Sequence, residues 1–213
     1  MSSFTGFPVA ALDFYDDLEM DNTKSFWEAN KHIYQEAVRT PMLALIEELS
    51  AEFSSPVAKT SVFRPYRDVR FARDKTRYKT HQGAYVGVGP STGWYVEISA
   101  RGTRVGAGFY GDGGPHLAAI REAMAEERTG KALDRLLRRL ERDGFEMGGD
   151  RLKTSPRGYD ADHPRIHLLR HKQLIADKSY GFESDAIDAG LVDRVRADWQ
   201  SLRPLVNWLS AID

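Results

Sequence analysis

Hydrophobic positions in the first quarter of the chain recur every three or four residues. Ala11, Phe14, Tyr15 and Leu18 make one stripe, and Phe26/Trp27, Asn30, Ile33/Tyr34 and Ala37/Val38 make a second. Asn22 or Thr23 is placed to cap that second helix. Thr40-Pro41 reads as a cap followed by a first-turn proline, opening a third helix on Met42, Leu45, Ile46, Leu49 and Phe53. The period then changes to two. Ala84–Val88, Trp94–Ile98 and Thr103 through Phe109/Tyr110 are rich in aromatic and β-branched residues and are parted by short Gly/Pro/Ser turns. Connections this short predict an antiparallel meander, because a parallel crossover needs a dozen or more residues. Helical spacing returns after Pro115 (Leu117, Ile120, Met124) and again at Leu133, Leu136, Leu137 and Leu140, with Gly144 as a stop. A polar loop from Asp150 to Asp162, a short helix from Pro164 and a strand near Gln173–Ala176 follow. The last helix carries Val192, Val195, Trp199, Leu202, Val206 and Leu209, with a kink expected at Pro204. Helices, then strands, then helices predict an α+β fold in one domain over 1–213, an antiparallel meander packed against N-terminal and C-terminal helices.

Composition narrows the chemistry. The 213 residues are 41% hydrophobic and 29% charged, which is globular rather than disordered. With no cysteine, disulfides, thiol nucleophiles and thiolate metal sites are excluded. No apolar run approaches the roughly 18 residues of a membrane span. The start of the chain lacks a basic stretch leading into an apolar one, so the cytoplasm is the expected compartment. The net charge of −1 offers no global field for nucleic acid or membrane.

Charge is instead concentrated locally. Between Lys59 and His81 there are eight lysines and arginines against two acids, a net +6. Arg64, Arg67, Arg70 and Arg73 recur every third residue, and Val69 with Phe71 favours a strand here, with Arg64, Tyr66, Asp68 and Arg70 along its polar face. Asp74 to His81 reads as a loop holding three cations, a phenol, two hydroxyls and an imidazole. Such a set suits a phosphate or carboxylate, because guanidinium grips either with paired hydrogen bonds and lysine adds a point charge. The plainer reading is a solvated, salt-bridged edge. On the ligand reading, Arg64, Arg67, Arg70, Lys75 and Lys79 hold the anion. Asp74, Tyr78 and His81 are the candidates for proton transfer, their pKa values being open to shift by the cations. Arg121, Arg157, Tyr159 and His163 are candidates to converge on the same ligand. A rival reading makes the basic row a nucleic-acid surface with Tyr66, Tyr78 and Tyr85 as stacking platforms, which the overall charge disfavours. A third is a protein-interaction domain without a pocket.

The run Arg67-Asp68-Val69-Arg70-Phe71-Ala72-Arg73-Asp74-Lys75, ending Tyr78-Lys79-Thr80, resembles the signature of the family called domain of unknown function 2461. Asn22…Trp27, Gly106-Ala107-Gly108 and Pro156-Arg157-Gly158-Tyr159-Asp160…Asp162-His163-Pro164 extend the resemblance to about Lys178. Two positions depart from it: Arg77 stands where the family more often has proline, and Asp21-Asn22 where it has an Asn-Asn pair. The resemblance implies a common fold and a shared site, and no activity.

Three familiar patterns lack their context. Gly106-Ala107-Gly108-Phe109-Tyr110-Gly111 matches a dinucleotide fingerprint but lies in a predicted antiparallel strand rather than opening a helix, so no nicotinamide, flavin or other cofactor is expected. Gly89-Pro90-Ser91-Thr92-Gly93 matches a nucleophile elbow but joins two strands. His163, His167 and His171, four apart, have the spacing of a helical metal pair, yet no buried third ligand is evident and no metal is expected.

Overall fold

The computed structural model describes residues 3–70, 74–111, 113–181 and 187–212. Helix α1 (Ala10–Met20) buries Ala11, Phe14, Tyr15 and Leu18, the stripe its sequence predicts. Helix α2 (Lys24–Ile33) begins at Thr23, whose hydroxyl accepts the Phe26 N–H at 3.2 Å. The expected cap at Thr40 does not form. A π-helical turn, Tyr34–Arg39, runs directly into α3 (Thr40–Phe53), and Arg39 and Thr40 are both right-handed helical. Pro41 has no N–H, and its ring crowds the carbonyl four residues back. The wider turn falls just before it, with the Thr40 N–H reaching back to Gln35 O.

Among the described residues six strands form one antiparallel sheet in the order β1-β2-β3-β4-β6-β5: β1 (Thr60–Val62), β2 (His81–Gly89), β3 (Thr92–Ser99), β4 (Gly102–Phe109), β5 (Glu146–Gly148) and β6 (Leu174–Gly181). The β2–β3–β4 meander is the one predicted, and the α+β class holds. The two edge strands, of three residues each, are added by pairing. Helices α4 (Gly114–Ala125), α5 (Glu127–Arg142), the short α6 (Ile166–Leu169) and α7 (Leu191–Ser210) complete the chain. No helix among the described residues is long and apolar enough to cross a membrane.

The strand expected through the basic segment is not formed. β1 ends at Val62, and Phe71 and Arg73 lie outside the described residues. Pro65 has no N–H to give a ladder, and Asp68 accepts bonds from the Arg70 backbone and guanidinium, local bonds that compete with strand pairing. The segment doubles back on itself instead. Arg67 N–H bonds Arg77 O at 2.9 Å, Lys79 N–H bonds Pro65 O at 2.8 Å, and Tyr66 bridges Tyr78.

Alternation along the strands gives the sheet two unlike faces. Ala84, Val86, Trp94, Val96, Ile98, Val105, Ala107, Phe109, Leu174 and Ala176 point into a buried core beneath the helices. There Trp94 stacks on Trp199 with ring centroids 5.6 Å apart, and its indole N–H bonds Phe53 O at 3.1 Å. The intervening residues, Gly83, Tyr85, Gly87, Gly93, Tyr95, Glu97, Arg104, Gly106 and Asp177, point the other way.

Candidate functional site

That second face carries a cleft of about 1300 Å³. Tyr85, Tyr95, Tyr110 and Phe63 supply its rings, Lys59 and Ser61 its β1 side, and Asp150, Gln173, Ile175 and Asp177 its β6 side. Tyr85 lies directly across from Tyr95 on the neighbouring strand. Tyr110 meets Tyr85 edge-on at 5.6 Å between centroids and tilts toward Tyr95 at 6.2 Å.

The rings lie flat because glycines make room. A Cβ on Gly83 would stand 2.5 Å from the Tyr95 hydroxyl oxygen, and one on Gly93 would stand 2.8 Å from that of Tyr85. Any side chain at either position would push a phenol up into the cleft.

The three phenols are not equivalent. Tyr95 donates to a Glu97 carboxylate oxygen at 2.5 Å. Arg104, directly opposite Glu97 in the register, reaches it at 3.2 Å and Asp177 at 3.7 Å. One guanidinium therefore ties carboxylates on two strands. Burial opposes the Arg104 charge, but Glu97 and Asp177 more than offset it and hold the group cationic. Burial pushes the Asp177 carboxyl up, against the pull of Arg104. The hydroxyl oxygens of Tyr85 and Tyr110, by contrast, are enclosed and have no partner in the protein. Burial alone raises the Tyr85 phenol to about 12, and that of Tyr110 goes higher still. Both stay protonated, and each has a donor and two lone pairs to offer.

The family model described as "Conserved hypothetical protein (DUF2461)" matches residues 10–208. The chain belongs to this family. No curated protein and no solved structure matches it.

The residues singled out from the sequence divide into three groups. The first is the doubled-back basic segment. Arg67 pairs with Asp74 at 2.7 Å and Arg70 with Asp68 at 2.6 Å, while the Lys75 ammonium bonds Val69 O at 2.9 Å. Asp74 also accepts from the Thr76 hydroxyl and backbone N–H. These bonds, with Arg67, hold it below the usual carboxylate range. Tyr78 is no loop residue. It is 4% exposed and stacked on Trp27 at 4.5 Å and 9°. Asn22 holds its backbone at both ends, donating to Tyr78 O at 3.1 Å and accepting its N–H at 2.9 Å. Burial raises its phenol pKa.

The second group meets the cleft. The Lys79 ammonium sits 5.2 Å from the centre of the Phe63 ring, which lines the cleft. Burial lowers its pKa, and so do Arg64 and Arg67 beside it. His81 is lowered by burial, raised by Glu97, and lowered again by Lys79, Arg104 and Arg67. Arg64, Arg67 and Lys79 thus crowd positive charge at the Phe63 end and press the His81 imidazole toward its neutral form.

The third group is elsewhere. Arg121 donates to Leu169 O and His171 O, each at 3.1 Å, and His163 accepts the Arg165 N–H and faces Tyr159. Arg157 lies in the turn beside Tyr159. None of these four bonds to the basic segment among the described residues. The histidine row also disperses. α6 has four residues only, His167 pairs with Asp134, and His171 is buried with Nδ1 on Gln173 O at 2.8 Å, so the row has no common solvent face. Among the described residues no cluster of three or more metal-ligating side chains is present.

Sequence reasoning missed Tyr95, Tyr110, Glu97, Arg104, Asp150 and Asp177. A signal was available in parity. On β2, β3 and β4, glycines and tyrosines share one register while aliphatic residues hold the other. A face so depleted of aliphatic residues, with tyrosines and glycines beside a few charged groups, lies against neither core nor bulk solvent alone.

Proposed function

We propose that this protein binds a small anionic molecule, phosphorylated or carboxylated, in the tyrosine-floored cleft. The observation that carries this is the pair of enclosed, unpartnered hydroxyls on Tyr85 and Tyr110 in a concave, ring-lined space. A buried polar group without a partner costs about 1–3 kcal/mol. Because both oxygens are enclosed, a ligand reaches them only by drawing the rings outward, and one that bonds them so offsets that cost; a cleft with few convergent polar groups among aromatic walls is the usual form of a small-molecule site. Lys59 on the wall and Lys79 beyond Phe63 supply the counter-charge. The nucleic-acid reading loses support, because its three platforms do not form one exposed row: Tyr66 is exposed, Tyr78 beside it is buried in a ring stack, and Tyr85 floors the cleft.

Thermal melts with phenyl phosphate, phenylacetate and inorganic phosphate test this reading in wild type and in the Tyr85→Phe/Tyr110→Phe variant. The ring-bearing anions stabilise wild type, by about 2.7 kcal/mol at a hundredfold excess over Kd. The variant melts no lower than wild type without ligand and loses the response. Equal responses in both proteins would exclude the two hydroxyls as the ligand's partners.

A further inference from the structure

The two sides of the cleft carry opposite charge. On the β1 side stands Lys59, with Lys79, Arg64 and Arg67 beyond Phe63. On the side built by β6 and the loop after β5 stand Asp150 and Asp177, with no lysine or arginine among the lining residues there. Arg104 lies between and is shared by Glu97 and Asp177. Asp177 therefore competes with Glu97 for one cation, at the longer distance of 3.7 Å. The Asp150 main chain is held from both directions, its O accepting Lys172 and Gln173 N–H groups and its own N–H bonding the Gln173 side chain. Its carboxylate is exposed on the rim. The field across the tyrosine floor runs from positive to negative along the strand order.

We propose that the ligand is a zwitterion. Its anionic group is met from the β1 side and its ammonium or guanidinium group is met by Asp150 and Asp177, with a ring between them over the tyrosines. This rests on the binding function proposed for the cleft and adds the cationic end. β1 and β6 are four strand positions apart, about 19 Å at the usual spacing. A long lysine chain reaches in from one side and short aspartates from the other, leaving on the order of 10 Å between the charges of a bound molecule, so an α-amino acid's own charges are too close together. The aromatic walls suit the cationic end as well, since ring faces attract cations.

The test uses one ring in four forms: 4-(aminomethyl)phenylacetic acid, phenylacetate, benzylamine and benzyl alcohol, with dissociation constants from calorimetry or ligand-observed NMR. The zwitterion binds at least tenfold tighter than phenylacetate or benzylamine. Asp150→Asn abolishes its advantage over phenylacetate, and Lys59→Gln abolishes its advantage over benzylamine. Both positions are exposed and leave the fold intact, which a melt verifies. If phenylacetate binds as tightly as the zwitterion, and Tyr85→Phe/Tyr110→Phe weakens both, the zwitterion is overturned while the cleft stands. If none of the four binds, the cleft fails with it.

Discussion

The same strands present two faces built to different rules. Beneath the helices, Trp94, Val96, Ile98, Val105 and Phe109 interlock with Phe53 and Trp199, and both indole N–H groups find a backbone carbonyl, at 3.1 and 3.3 Å. On the opposite face, one residue along, glycine replaces the aliphatic side chains, tyrosine rings lie in the space, and two hydroxyls are left unpaired. The first face is closed to solvent, with the one hydroxyl of Tyr15 on α1 sealed inside it unpartnered. The second has kept bonding capacity in reserve, at a cost to the folded state. Packing completeness, more than charge density, separates the stabilising part of this sheet from the part available to a ligand.

Substitutions should respond to that difference in order. Trp199→Ala, in the finished face, is expected to lose about 3–5 kcal/mol in denaturant unfolding. A loss below about 1 kcal/mol would mean that the covered face is not the anchor. Next comes His171, which fixes Gln173 at the acidic end of the cleft. Burial brings its pKa down to about 4, with Arg151 and His167 adding to the drop and the bond to Gln173 opposing it. The unfolded chain titrates near 6.5, so it binds more protons than the folded state between pH 6.5 and 4, and stability falls as pH falls through that window. The full difference is on the order of 3 kcal/mol, and His171→Asn should flatten this part of the pH–stability curve.

Asn22→Ala removes both side-chain bonds to the Tyr78 backbone and should cost about 1–2 kcal/mol by chemical denaturation. This tests whether the Trp27–Tyr78 stack belongs with the finished face, as its burial indicates. Tyr110→Phe in the open face has the opposite sign. Relieving an unpaired hydroxyl should raise stability or leave it unchanged, by up to about 1 kcal/mol, measured without ligand. A clear loss would show that this hydroxyl is bonded in solution. Arg70→Ala should be smallest, within about 0.5 kcal/mol in the same assay, because Arg70 and Asp68 are both exposed and such pairs add little.

Much of the scaffold was legible in the chain. The stripe of α1, the alternation of β2, β3 and β4, and the heptad-like run of α7 are local periodicities, and a local period fixes which residues share a face whatever surrounds them. The run from Arg67 to Thr80 and the motifs around it marked the family for the same reason, being contiguous. The expected cap at Thr40 failed because proline and threonine signal a helix start only where no preceding helix is widened to accept them.

The candidate site was the least legible part. Dense charge between Lys59 and His81 drew attention, yet Asp68 and Asp74 lie close enough in sequence to pair with Arg70 and Arg67, so two of its eight cations are engaged within the segment itself. Tyr78 sits in the most polar stretch of the chain and is buried, because Asn22 and Trp27, some fifty residues earlier, close over it. The cleft draws Lys59, Tyr85, Tyr95, Arg104, Tyr110, Asp150 and Asp177 from six regions of the chain. Sequence by itself determined which residues alternate and which helices are amphipathic, since those depend on a backbone repeat of two or 3.6 residues. Only the tertiary structure decided that Glu97 and Asp177 share one guanidinium and that the Tyr85 and Tyr110 phenols of the cleft go unpaired, because hydrogen-bond partnership depends on which strands become neighbours. That order, with β6 inserted between β4 and β5, is fixed by the packing of the whole chain.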